Sequence, residues 1–163
     1  MPLLLKWLRD PEVSRWYWDD ASLSDKELVA KWQGDTREDE LVDRYMMQVD
    51  GVDIGEIQTN RMADFPEHEV EIGIPDAAGV DLFIGDAKFR HRGLGAEIIQ
   101  EFINGVVFED SQIQTVTIDP DPANTIAIRA YEKAGFRHVK SYYSKAEGVD
   151  VYLMRFDRGA ASE

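Results

Sequence analysis

The sequence predicts an α/β (α+β) fold, with a mixed and mostly antiparallel central sheet and helices on both faces. Three observations support this class. The chain has 163 residues, a length that suits one compact domain. Helical and strand-like patterns alternate along it, as they do in sheets covered by helices. The apolar fraction is 44%, well above that of a disordered acidic chain, so a packed core is expected.

The N-terminal part of the chain is predicted to be helical. Residues Pro2 to Leu8 form a short apolar helix, and the Ser-Asp-Lys-Glu segment at 24–27 is a capping box that opens another. This second helix is expected to run through Trp32 and to end at Gly34. An aromatic Trp-Tyr-Trp cluster at residues 16–18 lies between the two helices.

Strand patterns dominate the middle of the chain. Arg44 to Val49 and Asp53 to Thr59 are apolar-rich runs, separated by an Asp-Gly pair that tolerates the positive φ of a hairpin turn. Glu69 to Ile74 is interpreted as a further short strand. Gly79 to Gly85 has the bulky, half-alternating pattern of a buried central strand.

The C-terminal half is predicted to contain two helices and three strands. Apolar residues recur at helical spacing after the glycines at 93 and 95, and this face consists of Leu94, Ile98, Ile99, Phe102, Ile103, Val106 and Val107. Gln114 to Ile118 is a β-branched strand. Asn124 can cap a helix that runs to Ala134 and stops at Gly135. Strands from Phe136 to Ser144 and from Val149 to Phe156 form a final hairpin.

The composition excludes several classes of function. Cysteine is absent, so disulfides, thiolate metal sites and a cysteine nucleophile are excluded. The three histidines lack metal-ligand spacing, and we expect no metal. A net charge of −14 disfavours nucleic acid and favours cationic ligands, although acidic surfaces also keep proteins soluble. No apolar run reaches the roughly 20 residues of a membrane span and no signal peptide is evident, so a cytoplasmic protein without membrane contact is expected.

A basic turn at residues 90–95 carries the strongest local signal. Its sequence, Arg-His-Arg-Gly-Leu-Gly, follows the central strand and opens an amphipathic helix. Free backbone N–H groups and the helix dipole favour an anion there, and the glycines allow phosphate to approach the backbone. A lone Gly-x-Gly usually marks only a turn, and the Gly-Lys-Ser/Thr ending of a Walker loop is absent. Basic residues, a strand before and a helix after together predict phosphate binding.

The pattern Arg-x-x-Gly-x-Gly, with Asn124 and the run Ala130 to Phe136 downstream, resembles the GNAT N-acetyltransferases. The resemblance implies a GNAT fold splayed at its central strands and acetyl-CoA as co-substrate. It implies that the pyrophosphate binds at Arg90, His91, Arg92, Gly93, Leu94 and Gly95, and that the pantetheine arm binds backbone groups of Leu82, Phe83 and Ile84. Asn124 would also bond the pantetheine. Tyr131 would lie near the departing sulfur as a general acid or a thiolate-stabilising donor, unless it only packs its helix.

Further segments narrow the resemblance to the aminoglycoside 6'-N-acetyltransferases. These segments are Gly79 to Gly85, Ile118 to Pro120, Ala127 to Tyr131, Leu5 to Leu8 and Asp10 to Val13, so the likeness covers nearly the whole chain. It implies that Asp81, an acid where many GNAT proteins carry an apolar residue, holds the attacking ammonium as its base or as an electrostatic anchor. A buried acid costs free energy unless it has a partner or a role. The substrate cleft would also include Asp119, Gln58, Trp16 and Tyr17.

Several alternatives stay open at this point. Trp16 and Tyr17 could equally be core residues, and Asp119 could be only a turn former before Pro120. The enzyme could acetylate another amine, such as a siderophore precursor, a polyamine or a protein N-terminus, or the chain could be a non-catalytic CoA- or drug-binding module. We expect a single domain over residues 1–163, monomeric or homodimeric, that lacks the edge strand with which the family normally begins.

Overall fold

A computed structural model describes residues 2–16, 22–32 and 40–159. Within these residues the strands are β1 (Asp43–Val49), β2 (Val52–Arg61), β3 (Ala77–Ile84), β4 (Thr115–Ile118), β5 (Arg137–Ser144) and β6 (Val149–Asp157). Together these six described strands form one sheet in the order β1-β2-β3-β4-β6-β5. The helices are α1 (Pro2–Arg9), α2 (Pro11–Ser14), α3 (Asp25–Trp32), α4 (Pro66–Ile72), α5 (Leu94–Gly105) and α6 (Thr125–Ala134). The predicted mixed α/β class is confirmed.

The sheet is mostly antiparallel. β4 pairs with β6 and β5 pairs with β6 in antiparallel register, and β1 and β2 form a hairpin. β3 and β4 are parallel, and their register runs only from Ala77↔Thr115 to Gly79↔Thr117. The register between these two strands therefore ends at Gly79, whereas β3 itself continues to Ile84.

Two local signals in the first part of the chain are confirmed, while the predicted helix end at Gly34 lies outside the described residues. The backbone N–H of Ser24 donates to the Glu27 carboxylate over 2.7 Å, and the N–H of Glu27 donates to the Ser24 hydroxyl over 3.2 Å. This reciprocal pair is a capping box, and α3 begins at the next residue, Asp25. In the β1–β2 turn, Asp50 and Gly51 have φ values of 51° and 78°, which an Asp-Gly hairpin turn requires.

The strand predicted from Glu69 to Ile74 is wrong, because Glu69 to Ile72 form the last part of helix α4 and Gly73 and Ile74 follow its end. Pro66 occupies the first turn of the helix, where its missing N–H costs nothing. Gly73 ends the helix in the left-handed conformation with φ of 64°. The alternation of apolar and acidic residues at 69–72 suggested a strand, but these two capping residues favour a helix over the same segment.

The later helices follow the predictions with one shortened end. α5 buries Ala96, Ile99, Phe102 and Ile103 and ends at Gly105, so the predicted Val106 and Val107 lie beyond it, in or beside a 3-10 turn at Val107–Glu109. α6 begins after Asn124, whose side chain accepts the N–H of Ala127 over 3.3 Å. It ends at Gly135, which has φ of 113°. The cap and the stop residue of α6 are both confirmed.

The chain divides into two compact units. The first comprises Met1–Gln58 and Asp81–His91, and the second comprises Thr59–Val80 and Arg92–Glu163. The first unit has a buried apolar cluster of Leu4, Trp7, Leu8, Val13, Leu28 and Phe83. The second has a cluster of Ile72, Ile74, Ala77 and Leu153, against which Met62 and Tyr142 pack. Each unit thus buries apolar surface of its own.

The described residues begin with helix rather than strand. Among residues 2–16, 22–32 and 40–42, no strand precedes Asp43. The absence of a first edge strand remains a prediction. Over the same described parts of the chain, none of the helices combines the length and the apolar character needed to cross a membrane.

Candidate active site

Asp81 lies within β3, in the first unit. Its side chain is half-buried, and its carboxylate accepts the backbone N–H of Leu82 over 2.9 Å. The residues that follow it, Leu82 and Phe83, are 9% and 7% exposed. The register with β4 ends at Gly79, two positions before Asp81. The structure therefore places a carboxylate on a mostly apolar strand just past the point where the β3–β4 ladder stops.

The loop at residues 90–95 has the backbone shape of an anion site at its glycines. His91 and Gly93 have φ values of 60° and 75°, and α5 begins directly after Gly93. Gly93 has no side chain to cap the helix, and the first N–H groups of a helix can donate to a bound anion. A Cβ atom at Gly95 would meet nothing within 4 Å, so the approach to this backbone is open.

A lysine from the end of α6 adds positive charge beside this loop in the second unit. The Nζ atom of Lys133 lies 3.5 Å from the position that a Cβ atom of Gly93 would take. The side chain of Arg92 is exposed on the same loop. Backbone donors, a helix N-terminus and these cations suit a pyrophosphate. The residues present therefore match the group that the sequence pattern implied.

Arg90 belongs to the first unit, and its guanidinium contacts other residues of that unit. It donates to the backbone carbonyls of Ile84 and Gly85 over 2.9 and 2.7 Å. It also forms an ion pair with Asp10, with 3.1 Å between Nη2 and Oδ2. Arg90 is therefore bound to the chain's own acceptors.

The predicted thiol-end residues lie on or beside α6 in the second unit. Asn124 is half-buried, and its side-chain oxygen caps the helix. Tyr131 is 8% exposed, and its ring centroid lies 6.0 Å from that of Phe136. A tyrosine this buried normally finds a hydrogen-bond partner for its hydroxyl.

Asp119 follows β4 and lies close to Tyr142 of β5. The carbonyl of Pro120 accepts the N–H of Tyr152 over 2.9 Å, so this segment continues alongside β6 after β4 ends. Burial, followed by the negative charges of Asp119, Glu71 and Glu147, raises the pKa of Tyr142 to about 12. Three carboxylates thus act on one half-buried phenol, and the ammonium of Lys140 lies 4.9 Å from the centroid of the same ring.

Glu71 holds this region together by joining α4 to the β5–β6 turn. Its carboxylate accepts the Ser144 hydroxyl over 2.9 Å and the backbone N–H groups of Lys145 and Ala146 over 2.9 and 3.2 Å. In the same turn Glu147 pairs with His68 over 3.2 Å, and this hydrogen bond is the main cause that raises the pKa of His68. The sequence did not indicate this cluster, because a charge near a strand end ordinarily faces solvent and the partners of Glu71 lie more than 70 positions away.

The remaining predicted substrate residues are only partly described. Trp16 is half-buried, with the Arg15 guanidinium 4.8 Å from its ring centroid. Gln58 is half-buried on β2. Tyr17 lies outside the described residues. In the part of the chain that the structure describes, no group of three or more His, Cys, Asp or Glu side chains could hold a metal ion.

This fold and site define a class of protein. Residues 1–143 match the family described as Acetyltransferase (GNAT) domain, and the chain belongs to that family. Among its relatives is aminoglycoside N(6')-acetyltransferase type 1 of Klebsiella pneumoniae, which is 24% identical over 95% of this chain and 77% of its own length. A kanamycin resistance protein of Rhizobium radiobacter is 31% identical over 50% of this chain and 73% of its own length.

A solved structure supports the fold independently. The crystal structure of the aminoglycoside acetyltransferase AAC(6')-Ib in complex with coenzyme A and kanamycin matches with a TM-score of 0.85. The match covers 98% of this chain and 90% of that one, at 24% sequence identity. The predicted GNAT fold is therefore confirmed over nearly the whole chain.

Proposed function

We propose that this protein transfers an acetyl group from acetyl-CoA to an amino group of a cationic small molecule, the 6'-amino group of aminoglycoside antibiotics. Membership of the acetyltransferase family supports the reaction. The names of relatives that align with most of the chain support the acceptor. Resistance to these antibiotics is the role that follows from such a reaction.

The observation that carries the acceptor class is the group of carboxylates around Tyr142. Asp119, Glu71 and Glu147 all raise the pKa of this half-buried phenol in the second unit, and they outnumber the Lys140 ammonium that lies 4.9 Å from its ring. Aminoglycosides carry several ammonium groups, which such a cluster attracts. The net charge of −14 adds a long-range field of the same sign.

The co-substrate is assigned to the glycine loop and its neighbours. The N–H groups at Gly93 to Gly95 and the start of α5 bind the pyrophosphate, with Arg92 and His91 beside them. The backbone of Leu82 to Ile84 and the side chain of Asn124 bind the pantetheine arm. When bound, acetyl-CoA supplies a thioester carbonyl that an amine can attack. The loop geometry and the ammonium of Lys133 support this assignment.

Asp81 and Tyr131 are assigned the two proton transfers. Asp81 holds the ammonium of the acceptor and takes its proton, which frees the nitrogen lone pair to form the bond to the acetyl carbon. Tyr131 donates a proton or a hydrogen bond to the sulfur as the carbon–sulfur bond breaks. The half-buried position of Asp81 and the buried position of Tyr131 support these roles, because poorly solvated groups exert stronger fields.

Aromatic and polar residues are assigned to the acceptor side of the reaction. Trp16, Tyr17, Gln58 and Asp119 are assigned to binding of the acceptor. The enzyme works in the cytoplasm, as a monomer or homodimer, without a metal ion. An exposed or half-buried aromatic ring such as that of Trp16 suits the apolar face of a sugar.

The test is thiol release from acetyl-CoA with kanamycin, its 6'-hydroxyl counterpart, spermidine and a lysine peptide as separate acceptors. The proposal expects turnover with kanamycin alone. Turnover only with spermidine or the peptide would support an acetyltransferase but would show that its acceptor is not an aminoglycoside. Tight binding of CoA or kanamycin without turnover would instead favour a binding module.

A further inference from the structure

The guanidinium of Arg90 makes a set of contacts unlike those of a phosphate ligand. Its Nε donates to the carbonyl of Ile84 over 2.9 Å, and its Nη2 donates to the carbonyl of Gly85 over 2.7 Å. The same Nη2 contacts the Asp10 carboxylate over 3.1 Å. The side chain is only 14% exposed. Nε and Nη2 thus already donate to acceptors in the chain's own first unit.

Asp10, the partner of Arg90 in this ion pair, accepts hydrogen bonds at both of its carboxylate oxygens. Its Oδ1 accepts the N–H of Glu12 over 3.0 Å and caps α2, while its Oδ2 accepts from Arg90. The hydrogen bond from Glu12 is the largest cause that lowers the pKa of Asp10, and the bond and charge of Arg90 lower it further against the effect of burial. The carboxylate is therefore ionised at neutral pH and offsets the charge of Arg90.

The segment that Arg90 bonds is fixed from its other side as well. The N–H groups of Gly85 and Asp86 both donate to the carbonyl of Ile54, over 2.7 and 3.0 Å. The ring of Trp7 packs on Gly85 so closely that a Cβ atom there would lie 2.2 Å from it. The end of β3 is thus held between β2, α1 and the Arg90 guanidinium, and the loop begins from this fixed point.

We propose that Arg90 is a positioning residue, which sets the start of the phosphate loop through Asp10 and the end of β3 and does not supply the charge that binds phosphate. This inference rests on the proposed function, because it assumes that the loop binds CoA. A planar guanidinium can bond two carbonyls and a carboxylate at once, whereas a lysine ammonium lacks that fork. The identity of the arginine, rather than its charge, is therefore what the loop requires.

The experiment is a double-mutant cycle on CoA affinity, measured by calorimetry at 25 °C. Asp10→Asn keeps an acceptor for the Glu12 N–H and removes the charge. We expect Asp10→Asn, Arg90→Gln and Arg90→Lys each to raise the Kd for CoA about 10-fold, as the loss of one charge-assisted bond implies. The double variant Asp10→Asn/Arg90→Gln should bind CoA no more weakly than either single variant, because the same Arg90–Asp10 ion pair is lost in all three proteins.

A matched control uses the other ion pair of the same helical region. Arg9 and Asp25 are 2.9 Å apart and lie outside the loop. The variants Arg9→Gln and Asp25→Asn should leave the Kd for CoA unchanged. Urea unfolding of every variant verifies folding. At saturating acetyl-CoA, kcat of the two control variants should stay within about 2-fold of wild type, while the Arg90 and Asp10 variants should raise the KM for acetyl-CoA more than they lower kcat.

The outcomes separate positioning from direct binding. A normal Kd for Asp10→Asn, rescue by Arg90→Lys, or additive losses in the double variant would each overturn the positioning role. Variants that lose only stability, with CoA affinity intact, would overturn it as well. Failure of the wild-type protein to bind CoA would instead overturn the proposed function, and the positioning role with it.

Discussion

At the residue scale, the chemistry depends on one carboxylate in an apolar strand. Asp81 is half-buried beside Leu82 and Phe83, and it accepts the N–H of Leu82. An asparagine retains a carbonyl oxygen for that bond but has neither the charge nor the basicity of a carboxylate. The substitution therefore tests chemistry with little change to local structure.

Asp81→Asn is expected to lower kcat by about 10²–10⁴-fold if the carboxylate takes the proton, which is the usual range for a general base. Steady-state thiol release with kanamycin measures it. Asp76→Asn is the control, because Asp76 is exposed and its φ of 51° suits asparagine equally well. Full activity of Asp81→Asn would remove this residue from the mechanism.

Tyr142 reports the negative charge near Asp119. Burial and three carboxylates raise its pKa to about 12, so its phenol should stay neutral up to at least pH 10.5. In protein labelled at the tyrosine Cζ, the Tyr142 carbon signal should therefore stay constant from pH 7 to pH 10.5, and Tyr142→Phe assigns it. Asp119→Asn should lower the pKa of Tyr142. If the Tyr142 signal instead titrated at the ordinary pKa of tyrosine, the three carboxylates would have to lie farther from its phenol.

At the element scale, two helices carry the second unit's functional parts. α5 begins at Gly93, whose positive φ shapes the phosphate loop, and α4 is joined to the β5–β6 turn through Glu71. Both connections depend on a single residue at a helix end or in its last turn. Each can be tested by changing that residue alone.

Gly93→Val should raise the Kd for CoA at least 10-fold and leave the KM for kanamycin nearly unchanged. A branched side chain disfavours the φ of 75° by about 1–2 kcal/mol and would obstruct the approach of phosphate near Lys133. Calorimetry and steady-state kinetics measure the two quantities. Gly105→Ala is the control, because a Cβ atom there meets nothing within 4 Å. An unchanged Kd for Gly93→Val would contradict the loop assignment.

Glu71→Gln should lower the free energy of unfolding by about 1–3 kcal/mol at pH 7, since hydrogen bonds to a charged group are lost. Burial is the largest single influence on the pKa of Glu71 and raises it, but the bonds from Ser144, Ala146 and Lys145 together lower it. A lowered pKa means that the stabilisation is present above the unfolded value of 4.5 and disappears as pH falls through the folded value.

Urea unfolding between pH 3 and pH 7 tests this linkage. The difference between wild type and Glu71→Gln should be largest near neutral pH and should shrink in acid. Glu69→Gln on the same helix should show a much smaller difference at every pH. A gap that does not depend on pH would mean that the charge of Glu71 is irrelevant to its role.

At the scale of the whole molecule, the surplus of acidic residues sets a long-range field. The chain carries 32 acidic residues against 18 Lys and Arg. A field of this sign attracts a polycationic acceptor and repels an anionic co-substrate, and salt screens both effects. The two substrates should therefore respond differently to salt.

Raising the ionic strength from about 20 mM to about 200 mM should lower kcat/KM for kanamycin several-fold, because the screening length shortens to roughly 7 Å. The value for acetyl-CoA should stay constant or rise over the same range. Initial rates at matched pH measure both constants. Equal losses for the two substrates would point to a general effect of salt on the enzyme.

The sequence by itself determined the local features that depend on residues close together in the chain, such as helix caps and tight turns. The capping box at Ser24 and Glu27, the hairpin turn at Asp50 and the cap and stop of α6 each need partners only a few positions away. The order of the strands and the glycine loop followed from periodicity and from the motif. The strand prediction for residues 69–74 was wrong because the spacing of its apolar residues suits a strand as well as a helix. Pro66 and Gly73, at the two ends of the segment's helix, decide between the two.

The tertiary structure alone decided which side chains meet. Arg90 forms a hydrogen bond with Asp10, which lies 80 positions earlier in the chain. Glu71 accepts hydrogen bonds from residues 144–146, which lie more than 70 positions later. Such partners are brought together by the packing of apolar faces, which local pattern does not encode. The motif therefore identified Arg90 as part of a phosphate loop, while its hydrogen bonds, known only from the fold, define how it serves that loop.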